Sequence, residues 1–416
     1  MLRVPIALAR PGMELALPVY HPKRPESALL RAGVVLESHV IERLRELRLR
    51  EIWITYPNLD FLAEHVSPTL IQAGHEVTTS VAPVFEAARE HKHARLEYPA
   101  YRRAVQSLLE RLLESPRARL FMHELGSAGP PPIRHAGNVC LLSLLMGIKL
   151  ESYLMRERSR IDAVLARDVS SLGLAGLLHD LGMLKLDDET LDRWNRNQDE
   201  SDPEWQEHVH VGFRMVQGEI EPSAAAAVLN HHQRFDGTGF PDRATFDGRG
   251  TRIAGHDIHV FARILAAADL FDRTRNPMHA PRAELNPAPT IPIVRALNLM
   301  LSPPRSRWID PIVRQALIAV VPPYAPGTLV TLNDGTRCVV AEWTHLDPCR
   351  PIVQTIGDPT THFDDDEPGE RINLRDRLDL YVAVAEGQDV AADNFFPSHA
   401  TEFDLDLTLR RQYNAA

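Results

Sequence analysis

Cysteine is scarce in this chain: Cys140, Cys338 and Cys349 are the only three in 416 residues. Widely spaced and odd in number, they make neither a disulfide framework nor a thiolate zinc cluster, and a reduced, cytoplasmic setting fits that usage. Positive charge is also in short supply, with 46 Lys and Arg against 56 Asp and Glu and a formal net charge of −10. A nucleic-acid polymer is therefore disfavoured as a partner, because phosphate backbones are bound by clustered Lys and Arg. No apolar run approaches the roughly 20 residues of a membrane span. The opening MLRVPIALARPGMELALP is broken by Arg10 and Pro11 before an apolar core long enough for a secretory signal can form. No internal repeat is present. What remains, at 44% hydrophobic and 25% charged residues, is an ordinary globular chain long enough for two or three domains.

Three blocks stand out. Residues 1–97 mix strand-like pieces (MELALPVY, EIWITYP) with a helix around HVIERLRELRL, as expected of a small α+β accessory domain. Residues 98–320 carry long runs of helical periodicity separated by Pro, Gly and Asp clusters, and SAGPPPIR reads as a Pro-rich entry to one of these helices. Residues 321–416 return to alternation and form a small β-rich domain, with GTLVTLNDGTRCVVAEW folding as a hairpin about Asn333-Asp334-Gly335. The stretch RINLRDRLDLYVAVAEG continues in alternation, and DDDE at 364–367 reads as a solvated loop. The expected fold is multidomain and mainly α, a helical bundle between two smaller domains.

The helical middle places ionisable residues at apolar positions. In LGLAGLLHDLGML, Leu174, Leu177, Leu178 and Leu181 keep the spacing of a buried stripe, with His179 and Asp180 inside it. Asp269 follows an almost unbroken apolar run in ARILAAADLFD, and a buried carboxylate is costly unless something positive meets it. His135 begins IRHAGNVCLLSLLMG. SDPEWQEHVHVGF starts a helix with Asp202 as N-cap and Pro203 at its first position, then puts His208 and Gly212 on one face. In HHQRFDGTGFPD, His231 and His232 stand where an alanine-rich helix runs into a Gly-rich loop. A single such histidine is more often a hydrogen-bonded core residue than a ligand, and a pH-sensitive polar cluster is a further reading. The set as a whole, nitrogen and oxygen donors from five segments with no thiolate, suits a pair of divalent ions such as iron, manganese or zinc. Two ions roughly 3.5–4 Å apart can activate water and clamp a phosphoryl oxygen.

His179-Asp180 with a later Asp269 resembles the HD superfamily of metal-dependent phosphohydrolases. HHQRFDGTGFP is similar to the second signature, HHERxDGxGYP, of its HD-GYP branch. The resemblance runs through HAGNV at His135, HVHVG at His208 and FARILAAADLFD, over about residues 130 to 275. It implies an all-helical catalytic domain that hydrolyses cyclic di-GMP to pGpG or GMP in second-messenger signalling, with a diguanylate cyclase or another signalling protein as a further partner. By matching positions it implies His135, His179, Asp180, His208, His231, His232 and Asp269 as ligands of two divalent metals, with Asp180 bridging them. Arg234, Gly239, Phe240 and Arg263 are the corresponding substrate-side candidates, the two arginines as phosphate or loop-anchoring groups.

The chain departs from the family pattern in places. The first motif, HDLGM, has Met183 where HDxGK has a lysine, and loss of such a cation costs on the order of 10²–10³ in rate. Lys185 is the replacement if the helix ends near Gly182. Gln233 replaces a Glu, Phe240 a Tyr, and Pro131 stands where some members carry a third-metal glutamate, so two metals are expected. RTRNPMHAPRAEL, after Asp269, matches the usual continuation poorly. These departures keep a second class open, a catalytically weak or inactive module that binds cyclic di-GMP or a partner protein.

Overall fold

The computed structural model describes residues 1–21, 24–47, 49, 51–89, 96–116, 130–244, 250–277, 290–357 and 369–395. DDDE and most of RTRNPMHAPRAEL lie outside them. The N-terminal part holds β1 (Leu2–Pro5), β2 (Val19–His21), β3 (Arg24–Leu30), α1 (Ser38–Glu46), β4 (Glu51–Ile54) and α2 (Pro68–Arg89). The helices that follow are α3 (Tyr98–Glu114), α4 (Pro131–Lys149), α5 (Glu151–Glu157), α6 (Ala163–Arg167), α7 (Ser170–Leu178), α8 (Asp188–Asn197), α9 (Pro203–Val216) and α10 (Pro222–Asn230). After the short pair β5 (Arg243–Ala244) and β6 (Gly250–Thr251) come α11 (Val260–Arg275), α12 (Ile293–Leu301), α13 (Arg305–Trp308) and α14 (Pro311–Val320). The chain ends in β7 (Leu329–Leu332), β8 (Arg337–Glu342), β9 (Ile352–Thr355), β10 (Arg371–Asn373), β11 (Val382–Ala385) and β12 (Gln388–Asp389).

The expected mainly α fold, with a β-rich C-terminal part, is therefore present. α4 is its axis. Every residue from His135 to Gly147 is buried, which is why this helix shows no polar face in sequence. It packs against α2, α7, α11 and α14, so His135 faces helices that arrive from far along the chain. α2 belongs to the same core: Leu70, Ala73, Val77, Val81 and Val84 join α3 and α4. The C-terminal strands make one antiparallel sheet in the order β10-β9-β8-β7-β11-β12. The hairpin β7–β8 turns at Asn333–Gly335, where Asp334 Oδ1 accepts from Thr336 N at 2.9 Å and Gly335 has φ +89°. RINLRDRLDLYVAVAEG does not run as one strand: a turn at 374–376 separates β10 from β11, and the Asn373 and Arg377 side chains bond Asp376 and Asp379 locally. Val330, Leu332, Cys338, Val340 and Val353 extend the helical core into the sheet. Val339, on the opposite face of β8, joins the N-terminal cluster of Leu2, Val4, Leu15, Leu44 and Ile54. Among the described residues no single helix is long and apolar enough to cross a membrane.

Candidate metal centre

α7 stops at Leu178, one residue before the His-Asp pair. His179 and Asp180 form a turn, and a 3-10 turn follows over Leu181–Lys185. What permits this is Gly182. A Cβ there would sit 1.9 Å from the carbonyl oxygen of His208, so the turn lies directly on the backbone of α9. α9 itself is started by Asp202, whose carboxylate accepts from Glu204 N at 3.0 Å. His231 and His232 follow the last turn of α10, and Asp269 sits in the middle of α11.

The seven expected ligands meet in one place, as two groups: His135, His179 and Asp269, then Asp180, His208, His231 and His232, with the donor atoms of each group within 4.8 Å of one another. Six are buried, and the Asp180 side chain is 20% exposed, so the cluster opens on this carboxylate. Its two oxygens divide between the groups. Oδ2 lies 3.6 Å from His135 Nε2 and 3.4 Å from His179 Nε2, while Oδ1 lies 3.7 Å from His208 Nε2 and 3.6 Å from His231 Nε2.

The hydrogen bonds on the far side of the rings set what the near side can do. Nδ1 of His179, His208 and His231 faces the carbonyls of Gly176, Trp205 and Val228 at 2.8, 2.6 and 2.7 Å, and Nδ1 of His135 faces Asp272 Oδ2 at 2.7 Å. Carbonyls and carboxylates only accept, so each Nδ1 carries the proton and each Nε2 of a neutral ring turns a lone pair inward. These Nε2 atoms face one another, at 3.2 Å for His135–His179 and 3.4 Å for His208–His231. Lone pairs aimed at lone pairs repel unless a cation lies among them. The donor set fits divalent metal, and imidazole with carboxylate suits iron, manganese or zinc.

The charges agree with the geometry. Burial opposes ionisation of Asp180, yet the surrounding His179, His231 and His208 hold its carboxyl well below the usual carboxylate range. Burial likewise works against Asp269, but Arg273, His135 and His232 keep it ionised far below that range. At His135 burial disfavours protonation, and Asp269 and Asp272 override it, carrying the imidazole up to about 10. Burial takes His208 down to about 4 and His232 well below an ordinary histidine. The two carboxylates thus demand positive charge, and without an ion a proton on His135 supplies part of it.

Other expected site residues lie around this cluster or away from it. The Phe240 ring stacks on His232, with centroids 4.7 Å apart, and its edge meets Trp205. Gly239 has a packing reason: a Cβ there would meet His232 O at 2.3 Å and Arg234 N at 2.4 Å. Gln233, at the Glu position of the signature, donates its amide to the Pro241 carbonyl, which a carboxylate could not do. Arg234 bonds Glu200 Oε2 at 2.6 Å and lies 3.7 Å over the Trp308 ring, and Asp236 accepts from Thr238. Arg263 is buried away from the seven ligands, bonded to Asp310, Glu157, Tyr153 and the Ile258 carbonyl. These are the bonds of an anchoring residue. Lys185 is exposed at the end of the 3-10 turn and bonds none of the cluster residues; Met183 is half-buried. Sequence reasoning missed Asp272, Asn138, Arg273 and Glu200. Asp272 holds His135 and accepts from Asn138 at 2.9 Å; Arg273 holds Asp269 and Glu200. For Asp272 and Arg273 the one available signal was spacing from Asp269, three and four residues along a helix.

Residues 148–313 match the family described as HD domain. Over 342 residues, 75% of each chain, this one is 27% identical to "Cyclic di-GMP phosphodiesterase PA4108" of Pseudomonas aeruginosa. The chain is thus similar to HD domains over this range, and to a cyclic di-GMP phosphodiesterase over three quarters of its length. A second relative, "Cyclic di-GMP phosphodiesterase response regulator RpfG" of Xanthomonas campestris, is 30% identical over 109 residues, 25% of this chain and 26% of the relative. A solved structure, "Bd1817, a HDG"Y"P protein from Bdellovibrio bacteriovorus", covers 76% of this chain and 97% of its own at 16% identity, with a TM-score of 0.40.

Proposed function

We propose that this chain is a binuclear-metal phosphodiesterase that hydrolyses cyclic di-GMP to pGpG or GMP, working in the cytoplasm. The observation that carries the reading is the division of Asp180: one carboxylate presents one oxygen to His135 and His179 and the other to His208 and His231. In this reading His135, His179 and Asp269 would hold one divalent ion and His208, His231 and His232 a second, with Asp180 available to both. Bound there, the pair of ions supplies Lewis acidity toward a phosphodiester and an activated water for in-line attack. Asp180, the least buried member of the cluster, would face the substrate and orient the attacking oxygen. Asp272 keeps the His135 proton on Nδ1, and the Gly176, Trp205 and Val228 carbonyls do the same for the other three rings. Phe240, stacked on His232, shields that ring from solvent and offers an aromatic surface beside the cluster.

The test is purified protein loaded with Mn(II) or Fe(II), incubated with cyclic di-GMP, with product separation and ion content measured together. Turnover with about two ions per chain is expected. Asp180→Ala should lower ion content and abolish turnover. Intact cyclic di-GMP retained by fully loaded protein would instead make this a receptor, and unchanged ion content in Asp180→Ala would remove the bridging role.

A further inference from the structure

Four charged side chains run from the metal centre to the His231–Asp242 loop. Arg273 lies one helical turn after Asp269 on α11, and its side chain is 14% exposed. Its guanidinium meets that carboxylate at two points, a hydrogen bond from Nε to Oδ1 at 3.0 Å and an ion-pair contact of Nη2 with Oδ2 at 2.8 Å. Nη1 donates to Glu200 Oε1 at 2.8 Å, and the other Glu200 oxygen accepts from Arg234 at 2.6 Å. Arg234 lies over Trp308, whose carbonyl accepts from Phe235 N at 2.7 Å, so the series ends in the loop that carries the two histidines. Glu200 itself stands in the α8–α9 connection, its carbonyl bonded by Gln206 at 2.8 Å.

Four of the five histidines are oriented from behind, His179, His208 and His231 by carbonyls and His135 by Asp272. The Asp269 carboxylate is held from behind by Arg273, with His135 Nε2 3.2 Å from Oδ1 on the cluster side. A two-pronged guanidinium fixes the plane of a carboxylate as well as its place, which a single ammonium cannot do. Arg273 also belongs to the stretch that departs from the family pattern after Asp269. We propose that Arg273 is a positioning residue for the His135–His179–Asp269 half of the metal centre, linked by Glu200 to Arg234 and the histidine loop. This rests on the binuclear reading above. It confines the effect of Arg273 to one of the two ions.

The probe is Mn(II) alone, added to the metal-free full chain, with affinity and stoichiometry measured by equilibrium binding. Electron paramagnetic resonance then separates a coupled manganese pair from an isolated ion. The unsubstituted protein should bind two ions and show the coupled signal. Arg273→Ala should bind the first ion as before and the second about 10–100-fold more weakly, the usual effect of removing a ligand's outer partner, and show the isolated signal at limiting Mn(II). Arg273→Lys, which keeps the charge and loses the fork, should fall between, and Glu200→Gln should weaken the same ion by less than Arg273→Ala. Two ions held by Arg273→Ala with unchanged affinity would overturn the proposal, and so would equal weakening of both ions, the mark of a general loss of structure. Failure of the unsubstituted protein to bind two ions would bring down the binuclear reading first and this inference with it.

Discussion

Gly182 offers the sharpest test of how the site is built. Replacing it with alanine puts a Cβ 1.9 Å from His208 O, 2.7 Å from Gly212 N and 2.8 Å from His208 C, where real Cβ atoms essentially never come within 3.0 Å of another heavy atom. All three obstacles are backbone, so no side chain can swing aside and α9 must move by about 1 Å. Overpacking of this kind costs roughly 1–3 kcal/mol where side chains can adjust, so about 3 kcal/mol is expected here. For a domain of this size that lowers the melting temperature by on the order of 5–10 °C. The same displacement carries His208, and metal sites tolerate about 0.2 Å in ligand distance, so ion affinity should fall as well. Gly212→Ala is the internal control. It lies on the same helix against the same turn, yet its nearest contacts are 3.4 Å, ordinary packing. Removing a mid-helix glycine there gains up to about 1 kcal/mol, so this variant should melt at or slightly above the parent. Thermal unfolding with and without chelator, together with Mn(II) titration, reads both effects. A Gly182→Ala protein within about 1 kcal/mol of the parent, or a Gly212→Ala protein equally damaged, would refute the reasoning.

Ion binding should release about one proton near pH 8, because the ion-free protein keeps His135 protonated up to about 10 and an ion must displace that proton; calorimetry in two buffers of different ionisation enthalpy measures it, and no buffer dependence would contradict it. The sign for stability follows: this raised value stabilises the ion-free fold fully below the ordinary histidine range near 6.5, and the contribution is lost as pH rises toward 10, so the chelated protein should melt progressively lower across that window. Asp272→Asn should weaken ion binding by about 10–100-fold, since it removes the carboxylate that holds His135 Nδ1 at 2.7 Å, and an unchanged affinity would show that ring to be held by packing alone. Lys185→Ala should leave turnover and ion content unchanged, given its exposure and the absence of any bond to the cluster; a loss of 10²-fold or more in turnover would restore it as the substitute for the lysine missing at Met183.

Much of the site was already written along the chain, because local rules govern its parts. Asp202 and Pro203 start α9 wherever that helix is placed, and an alternating run about Asn333-Asp334-Gly335 closes as a hairpin in any surrounding. Polar residues in apolar stripes announced that His135, His179, His208 and Asp269 would be buried, since nothing else explains carboxylate and imidazole at core positions. Periodicity ran the buried stripe on through His179-Asp180 and left open where the helix ends; the chain turns there, over Gly182 against α9. Periodicity assigns a residue to a face of its own helix and is silent on which helix that face will meet. Arg263 and Arg273 show this plainly: both are arginines of α11, yet one is bound to Asp310 and Glu157 and the other to Asp269 and Glu200. The pairing of His135 with Asp272 spans 137 positions and that of Arg273 with Glu200 spans 73. Contacts at such separations depend on how α4, α9 and α11 pack, through apolar side chains that never touch the site. Sequence therefore named the side chains that meet in the cluster; only the packing of the helices decided that Asp180 would stand between two sets of them, and which arginine would hold Asp269.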